Sequence, residues 1–388
     1  MWAALYSEKP RLPKGLVTAY RLPGGPILRG RCRYAQLRPR HWQKLLGRIM
    51  TGTAKIRTID THTHILADAT IGLLNKEIPK LGIKLTPIDD NDSIIEVAGT
   101  PYRPMPRGGH NIERRFADMD FAEVDIHVLS AAPQAWLYNQ EAAVGIAAAA
   151  IQNDEMARLV KEHPDRFAAI ATLPMQAPDK AAEELRRAVT KLGLHGAMIG
   201  SNINGKNLDD PSFEPLWAAA SELDAWMMIH PGNVAGADRL KSYYLGNLVG
   251  NPLDTTIAGA CLIFGGVLER HPKLHFVMVH GGGFIPYQGG RWVHGWQVRP
   301  EPKVHLKHSP QPYLDRFHYD TITHSKPVLE FLVGSAGADR VFLGSDYPYD
   351  MGTLECVRQV RAANIAPADR DKILSTHAAA ILSKQRAK

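Results

Sequence analysis

Cysteine is scarce in this chain, and so are long apolar runs. The three cysteines, Cys32, Cys261 and Cys356, are far apart and odd in number, so they can form neither a disulfide framework nor a CxxC metal site. That usage predicts a reducing, cytoplasmic setting. No apolar stretch reaches the ~18 residues that a membrane span needs, so no membrane association is expected. The glycine-rich GxGxxG turn that marks a dinucleotide-binding doubly wound sheet is also missing after the first β-rich run. Charged residues make up 22% of the chain and hydrophobic ones 45%, which excludes a chain disordered throughout. With 388 residues there is room for a large core, and α/β barrels of this length are often one domain.

The formal net charge of +7 suggests nucleic acid until it is divided along the chain. Residues 1–49 hold 11 Lys+Arg and one acid, Glu8, whereas the remainder holds 35 bases and 38 acids. The basic character belongs to an N-terminal extension, and the body is expected to bind no nucleic acid. The extension is rich in Pro and Gly without a sustained apolar period and is expected to be poorly structured. Three readings stay open for it: a basic arm for an anionic surface, a targeting peptide without a secretory h-region, or an upstream stretch without a role.

From Lys55 onward, short β-rich runs alternate with helical patterns. The β runs are Ile56–Ile59, Ile126–Leu129, Ala168–Leu173, Gly196–Ile199, Trp226–Ile229, Leu274–Val279, Phe317–Thr323 and Val341–Leu343. Runs such as WMMI and LHFVMV suit strands buried on both faces. Helical stretches include Ala142–His163, Asp179–Leu192, Pro211–Leu223 and Pro252–Arg270. In Asp179–Leu192 the acids come early, the bases late, and Gly193 follows as a stop. Eight such alternations predict a (β/α)8 TIM barrel over residues 50–388, distorted by an insertion at 65–116 between the first and second strands. Insertions at a barrel's C-terminal face commonly build a lid or substrate loop.

Chemistry-bearing residues sit at the ends of these runs. His62 and His64 follow the first, and residues i and i+2 of an extended segment point the same way. His230 ends WMMIH, His280 ends LHFVMVH and opens into three glycines, and Asp346 ends VFLGSD. Each alone has a bland reading as a helix cap, turn residue or satisfied core group. Together they place five metal-capable groups at the C-terminal ends of strands one, five, six and eight, the catalytic face of a barrel.

The stretches IDTHTHI, ATLPMQAP, GNPLDTTIAGA, GGVLERHPKL, VHGGGFIPYQGGR and DRVFLGSDYPY resemble the amidohydrolase superfamily. Within it they are most similar to the branch typified by aminocarboxymuconate-semialdehyde decarboxylase. The resemblance runs from Ile56 to Leu382. It implies one divalent metal, Zn²⁺ with Mn²⁺ possible, on His62, His64, His230 and Asp346, and His280 as catalytic acid/base. It also implies substrate-carboxylate contacts from Arg103 in the insertion and from Arg291 across a homodimer interface. Arginine suits that task because its planar fork binds carboxylates bidentately. His324, after the seventh strand, is a candidate pocket residue.

The implied activity is non-oxidative decarboxylation of a small unsaturated or aromatic carboxylic acid. The alternative is a metal-dependent hydrolase of the same superfamily, cleaving a lactone, amide or related bond. A regulatory protein on a metal-free barrel is a third reading, opposed by the full set of candidate ligands. One departure bears on substrate identity. The related pattern after the fifth strand is HPWD-like, whereas this chain reads His230-Pro231-Gly232-Asn233, without the indole beside the metal.

Overall fold

The computed structural model describes residues 57–384, apart from the side chains of Arg103 and Lys384. The basic segment 1–49 lies outside the described residues, so the expectations placed on it are not addressed by the fold.

Eight parallel strands follow one another around a barrel. They are β1 (Ile59–Ile65), β2 (Ile126–Ala131), β3 (Phe167–Ala169), β4 (Gly196–Gly200), β5 (Trp226–His230), β6 (His275–Met278), β7 (Phe317–Asp320) and β8 (Val341–Phe342). The ladder has two continuous arcs, β1-β2-β3 and β4-β5-β6-β7-β8. Parallel bridges between Ala171 and Ala197 and between Thr63 and Tyr347 join them into a ring. Thr61 N–H donates to the Leu343 carbonyl at 2.9 Å and Asp346 N–H to the His62 carbonyl at 3.0 Å. Every residue of β1, β2, β4 and β5 is buried, as expected for strands with a filled interior on one side and helices on the other.

The first strand differs from expectation. It begins at Ile59 and contains the two histidines. Its polar residues look like loop chemistry in the sequence, but each finds a buried partner. Asp60 accepts from Ser345 N–H at 3.1 Å, Thr61 Oγ1 donates to the Leu343 carbonyl at 2.9 Å, and Thr63 Oγ1 donates to the Val128 carbonyl at 2.9 Å. The seventh strand stops at Asp320 because that carboxylate takes the Ile322 N–H at 3.1 Å, where a ladder bond would otherwise form. The helical run after β5 divides into Asn251–Phe264 and Val267–Arg270 at Gly265–Gly266.

The insertion is an ordered subdomain. Helix Asp68–Glu77 precedes a three-stranded antiparallel sheet of Lys84–Pro87, Asp92–Val97 and Thr100–Pro106. Leu74, Leu81, Ile83, Ile95, Val97 and Met105 form its core and pack against Leu137, Val144 and Ala148 of the barrel. Helix Ile112–Phe121 then returns the chain to β2, its N-terminus capped by the Asn111 side chain accepting from Arg114 N–H. Arg115 on this helix is fully buried. Its guanidinium donates to the His64 carbonyl and, at 3.2 Å, to the Gly108 carbonyl, and it lies 4.7 Å from the centre of the Tyr347 ring. Burial lowers it to about 10, so it stays charged and ties the insertion to the end of β1. Among the described residues no helix is long and apolar enough to cross a membrane.

At the opposite, N-terminal end of the barrel, His318 stacks on Phe342 and His377. Burial pushes its pKa down to about 3, helped by His377, His275 and Arg340. The folded protein therefore holds His318 neutral, while the unfolded chain protonates it below about pH 6.5. Stability from this site is complete above pH 6.5 and is lost as the pH falls toward 3. At pH 5 the loss is ~2 kcal/mol, a large part of a typical domain's 5–15 kcal/mol. Denaturant melts of His318→Phe at pH 7.5 and 5 should therefore show a smaller acid penalty than the parent. An equal penalty would refute this assignment.

Candidate active site

Each of His62, His64 and His230 has its Nδ1 occupied by the fold and its Nε2 turned inward. His62 Nδ1 donates to Asp320 Oδ2 at 2.7 Å. His64 Nδ1 faces Ser130 Oγ at 3.3 Å, and that hydroxyl donates onward to the Thr63 carbonyl at 2.8 Å. His230 Nδ1 donates to the Pro231 carbonyl at 3.0 Å. The Nε2 atoms of His62 and His64 are 3.1 Å apart, and Asp346 Oδ1 lies 3.1 Å from His64 Nε2 and 3.5 Å from His62 Nε2. His230 Nε2 is buried with no hydrogen-bond partner among the described residues. Lone pairs converging from three Nδ1–H imidazoles, one of them orphaned, together with a carboxylate fit a divalent cation of the Zn²⁺ type.

The electrostatics agree with that donor set. Burial pushes His64 down to about 4 and holds His230 well below its ordinary value, so both imidazoles are neutral, the ligating form. Burial alone would raise Asp346. The neighbouring His280, His64 and His62 imidazoles outweigh it and hold the carboxyl well below the usual range. His62 is drawn up by Asp320 and the surrounding carboxylates, against the effect of burial.

His280 completes the cluster. One ligand-type atom from each of His62, His230, His280 and Asp346 lies within 4.8 Å of the others, so geometry alone does not separate His280 from the ligands. Exposure does separate it. Its side chain is 15% accessible whereas those of His62 and His64 are at 0%, and with Asp346 it lines a cavity of about 360 Å³. Its Nε2 is 3.4 Å from Asp346 Oδ2. The tight HGGG turn sets its position. A Cβ on Gly283 would lie 2.2 Å from the Pro252 carbonyl oxygen, so only glycine fits there.

The other expected residues are placed as follows. His324 is exposed and lines the same cavity as His280. Arg291 is exposed on helix Ile285–Val298 and is absent from that cavity's wall. Arg103 lies in the strand Thr100–Pro106, and its side chain is outside the description. Two residues were missed in the sequence. Asp320, at the end of FHYD, carries the same strand-end signal as the others. Trp136, in the loop after β2, carries none. Its ring meets His230 edge-on at 5.8 Å and stacks on Tyr138 at 5.4 Å. A Cβ on Gly232 would already be 3.2 Å from Trp136 Cζ3. An indole therefore does stand beside His230, supplied by another loop into the space that glycine leaves.

A family model described as Amidohydrolase matches residues 59–384. The chain is 37% identical to the 2-amino-3-carboxymuconate-6-semialdehyde decarboxylase of Dictyostelium discoideum, over 76% of this chain and 83% of that one. It is 30% identical to the gamma-resorcylate decarboxylase of Rhodococcus jostii strain RHA1, over 76% and 95%. The crystal structure of 5-carboxyvanillate decarboxylase from Sphingomonas paucimobilis superposes with a TM-score of 0.73 at 26% identity, covering 85% of this chain and 99% of that one. The chain belongs to the amidohydrolase family, on a TIM barrel with a metal-type site at the C-terminal ends of its strands. Within that family its activity is that of a metal-dependent, non-oxidative decarboxylase, a carboxy-lyase.

Removing an inward Nε2 should be felt in metal binding. Zn²⁺ titration against a competing chelator should show His62→Ala weakened by more than about 100-fold, since even outer partners of ligands cost 10–100-fold. His324→Ala should bind like the parent. Full metal occupancy in His62→Ala would break the ligand assignment.

Proposed function

We propose that this carboxy-lyase removes CO2 from a small unsaturated or aromatic carboxylic acid, with one divalent metal held by His62, His64, His230 and Asp346 and with His280 as acid/base. Zinc is the proposed metal, since an imidazole-rich set with one carboxylate suits it, and Mn²⁺ is an acceptable substitute. The observation that carries the reading is the convergence of inward Nε2 atoms on Asp346 beside His280, the most accessible histidine of the cluster.

Decarboxylation breaks the bond between carbon and the carboxylate. The electron pair stays on the carbon, CO2 leaves, and a proton replaces it. A bound divalent metal supplies Lewis-acid stabilisation of the electron-rich species. The chain's own part is to orient the substrate and to move that proton. His280 Nε2, open to the cavity and next to Asp346 Oδ2, is placed for the transfer. The cavity's apolar wall of Leu248, Pro252, Phe284, Ile322 and Val328 suits a planar unsaturated group.

The substrate carboxylate is assigned to Arg103 and to Arg291 of a second copy of the chain in a homodimer. Support for the dimer comes from apolar exposure that includes Leu248 on the wall of the same cavity. Tyr243, Tyr244, Leu248, Tyr287 and Phe331 are all exposed, and Tyr287 and Arg291 are four apart on one helix and so share a face. Trp136, which lines a neighbouring cavity with Tyr138 and Gly232, is assigned to substrate selection from beside His230.

Metal analysis followed by CO2 release from a panel of aromatic and muconate-type acids tests the reading. CO2 should appear from at least one of them, while water uptake without CO2 from lactones or amides would overturn it in favour of a hydrolase. His280→Ala should keep its metal and lose turnover by about 10²–10⁴-fold, the usual worth of a general acid/base. Unchanged turnover would remove His280 from the reaction. Trp136→Ala should alter the ranking of substrates by KM while leaving metal content intact. An unchanged ranking would place Trp136 in the packing alone.

A further inference from the structure

Asp320 receives more hydrogen bonds than any role as a strand terminus requires. It is fully buried at the end of β7. Its Oδ2 accepts from His62 Nδ1 at 2.7 Å and from His280 N–H at 2.9 Å. Its Oδ1 accepts from Gly281 N–H at 2.8 Å and from Ile322 N–H at 3.1 Å. A carboxylate has about four lone-pair positions, and here all four meet donors. No position remains for a proton on Asp320 itself. The proton of the His62–Asp320 contact must therefore sit on His62 Nδ1, which leaves the His62 Nε2 lone pair facing Asp346 and His64. The same carboxylate grips the two backbone amides where the chain turns from β6 into HGGG. His280 is there in the left-handed region, with φ of 56°, a conformation that a non-glycine residue adopts only when its surroundings hold it.

We propose that Asp320 is the positioning residue that couples the two halves of the site. With one side chain it fixes the tautomer of His62, an assigned ligand, and the backbone placement of His280, the assigned acid/base. The inference rests on the assignment of those two histidines made above. Asp320 does not touch substrate and acts only through them. Gly344 belongs to the same device. A Cβ there would lie 2.8 Å from the Asp320 Cβ and 3.2 Å from the His62 Cβ, so the absence of a side chain lets Asp320 reach His62.

Asparagine is the informative replacement, because it keeps the shape and loses the symmetry of the acceptor. With its NH2 toward His62 and His280 it opposes the His280 N–H and forces His62 into the other tautomer, with Nε2 protonated. Turned the other way, it opposes the Gly281 and Ile322 amides and releases the HGGG turn. Both orientations disturb the site.

The experiment uses the full chain and two readouts that need no turnover. In the wild-type protein labelled with 15N-histidine and stripped of metal, His62 should give the Nδ1–H tautomer. Its assignment comes from the signal lost in His62→Gln. Zn²⁺ titration of Asp320→Asn against a chelator should show affinity lowered 10–100-fold, at a far-UV spectrum like that of the parent. An Nε2–H tautomer for His62 in the wild type, or parental Zn²⁺ affinity in a folded Asp320→Asn, would overturn the proposal. Should Asp320→Asn fail to fold, the wild-type tautomer still decides. Absence of CO2 release with every acid would count against the proposed reaction and would leave both of these readouts standing.

Discussion

The pairing between β1 and the stretch that follows β8 is the constraint on which the site depends. Without the hydrogen bonds from Thr61 to Leu343, from Asp346 to His62 and from His64 to Tyr347, the two arcs of sheet would remain open. His64 and Asp346, 282 positions apart, would then have no reason to meet at 3.1 Å. Parallel strands make this closure possible because all eight deliver their C-terminal ends to the same rim. Residues that are remote in the chain become neighbours there.

Closure also brings buried charge together, and the fold manages it with specific partners. Asp320 stays ionised because the His62 ring and backbone amides donate to it, and Asp346 because the neighbouring histidines outweigh its burial. Asp60 lies one layer below. Burial pushes it up to about 7, against hydrogen bonds from Ser345 and His62. Arg115 brings a positive charge to the His64 carbonyl from outside the ring. The resulting polar network is worth conserving as a unit, because a buried acceptor that loses one donor bears the full cost of its desolvation. Burial in turn keeps His64 and His230 neutral and ready to ligate.

The insertion shows how function and stability divide the same segment. Its sheet shares one apolar core with the barrel, and Val97, Ala98 and Tyr102 share a cavity wall with Gln134, Trp136 and Tyr138. The loop after β2 thus supplies both the packing surface for the insertion and the indole next to His230. The glycine in His230-Pro231-Gly232-Asn233, which in the sequence looked like a loss, is the space into which that indole fits.

Much of this protein could be read from residues alone. The alternation of apolar runs with helical patterns announced an eight-stranded α/β barrel, and His62, His64, His230, His280 and Asp346 stood out because polar groups at the ends of buried strands are costly without a purpose. Asp320 carried the same mark but sat in a run that could be extended past it. Arg115, buried on the helix that returns from the insertion, carried no such mark, and the strands of the insertion were hidden by their short length and prolines. Trp136 gave no signal at all. Side-chain type and spacing are local properties, so the chain by itself determined which chemistry it could bring and on which elements. Which groups face one another was decided by the ring closing, because distances between strand ends follow from ladder bonds and loop packing across hundreds of residues. No stretch of sequence encodes those distances alone.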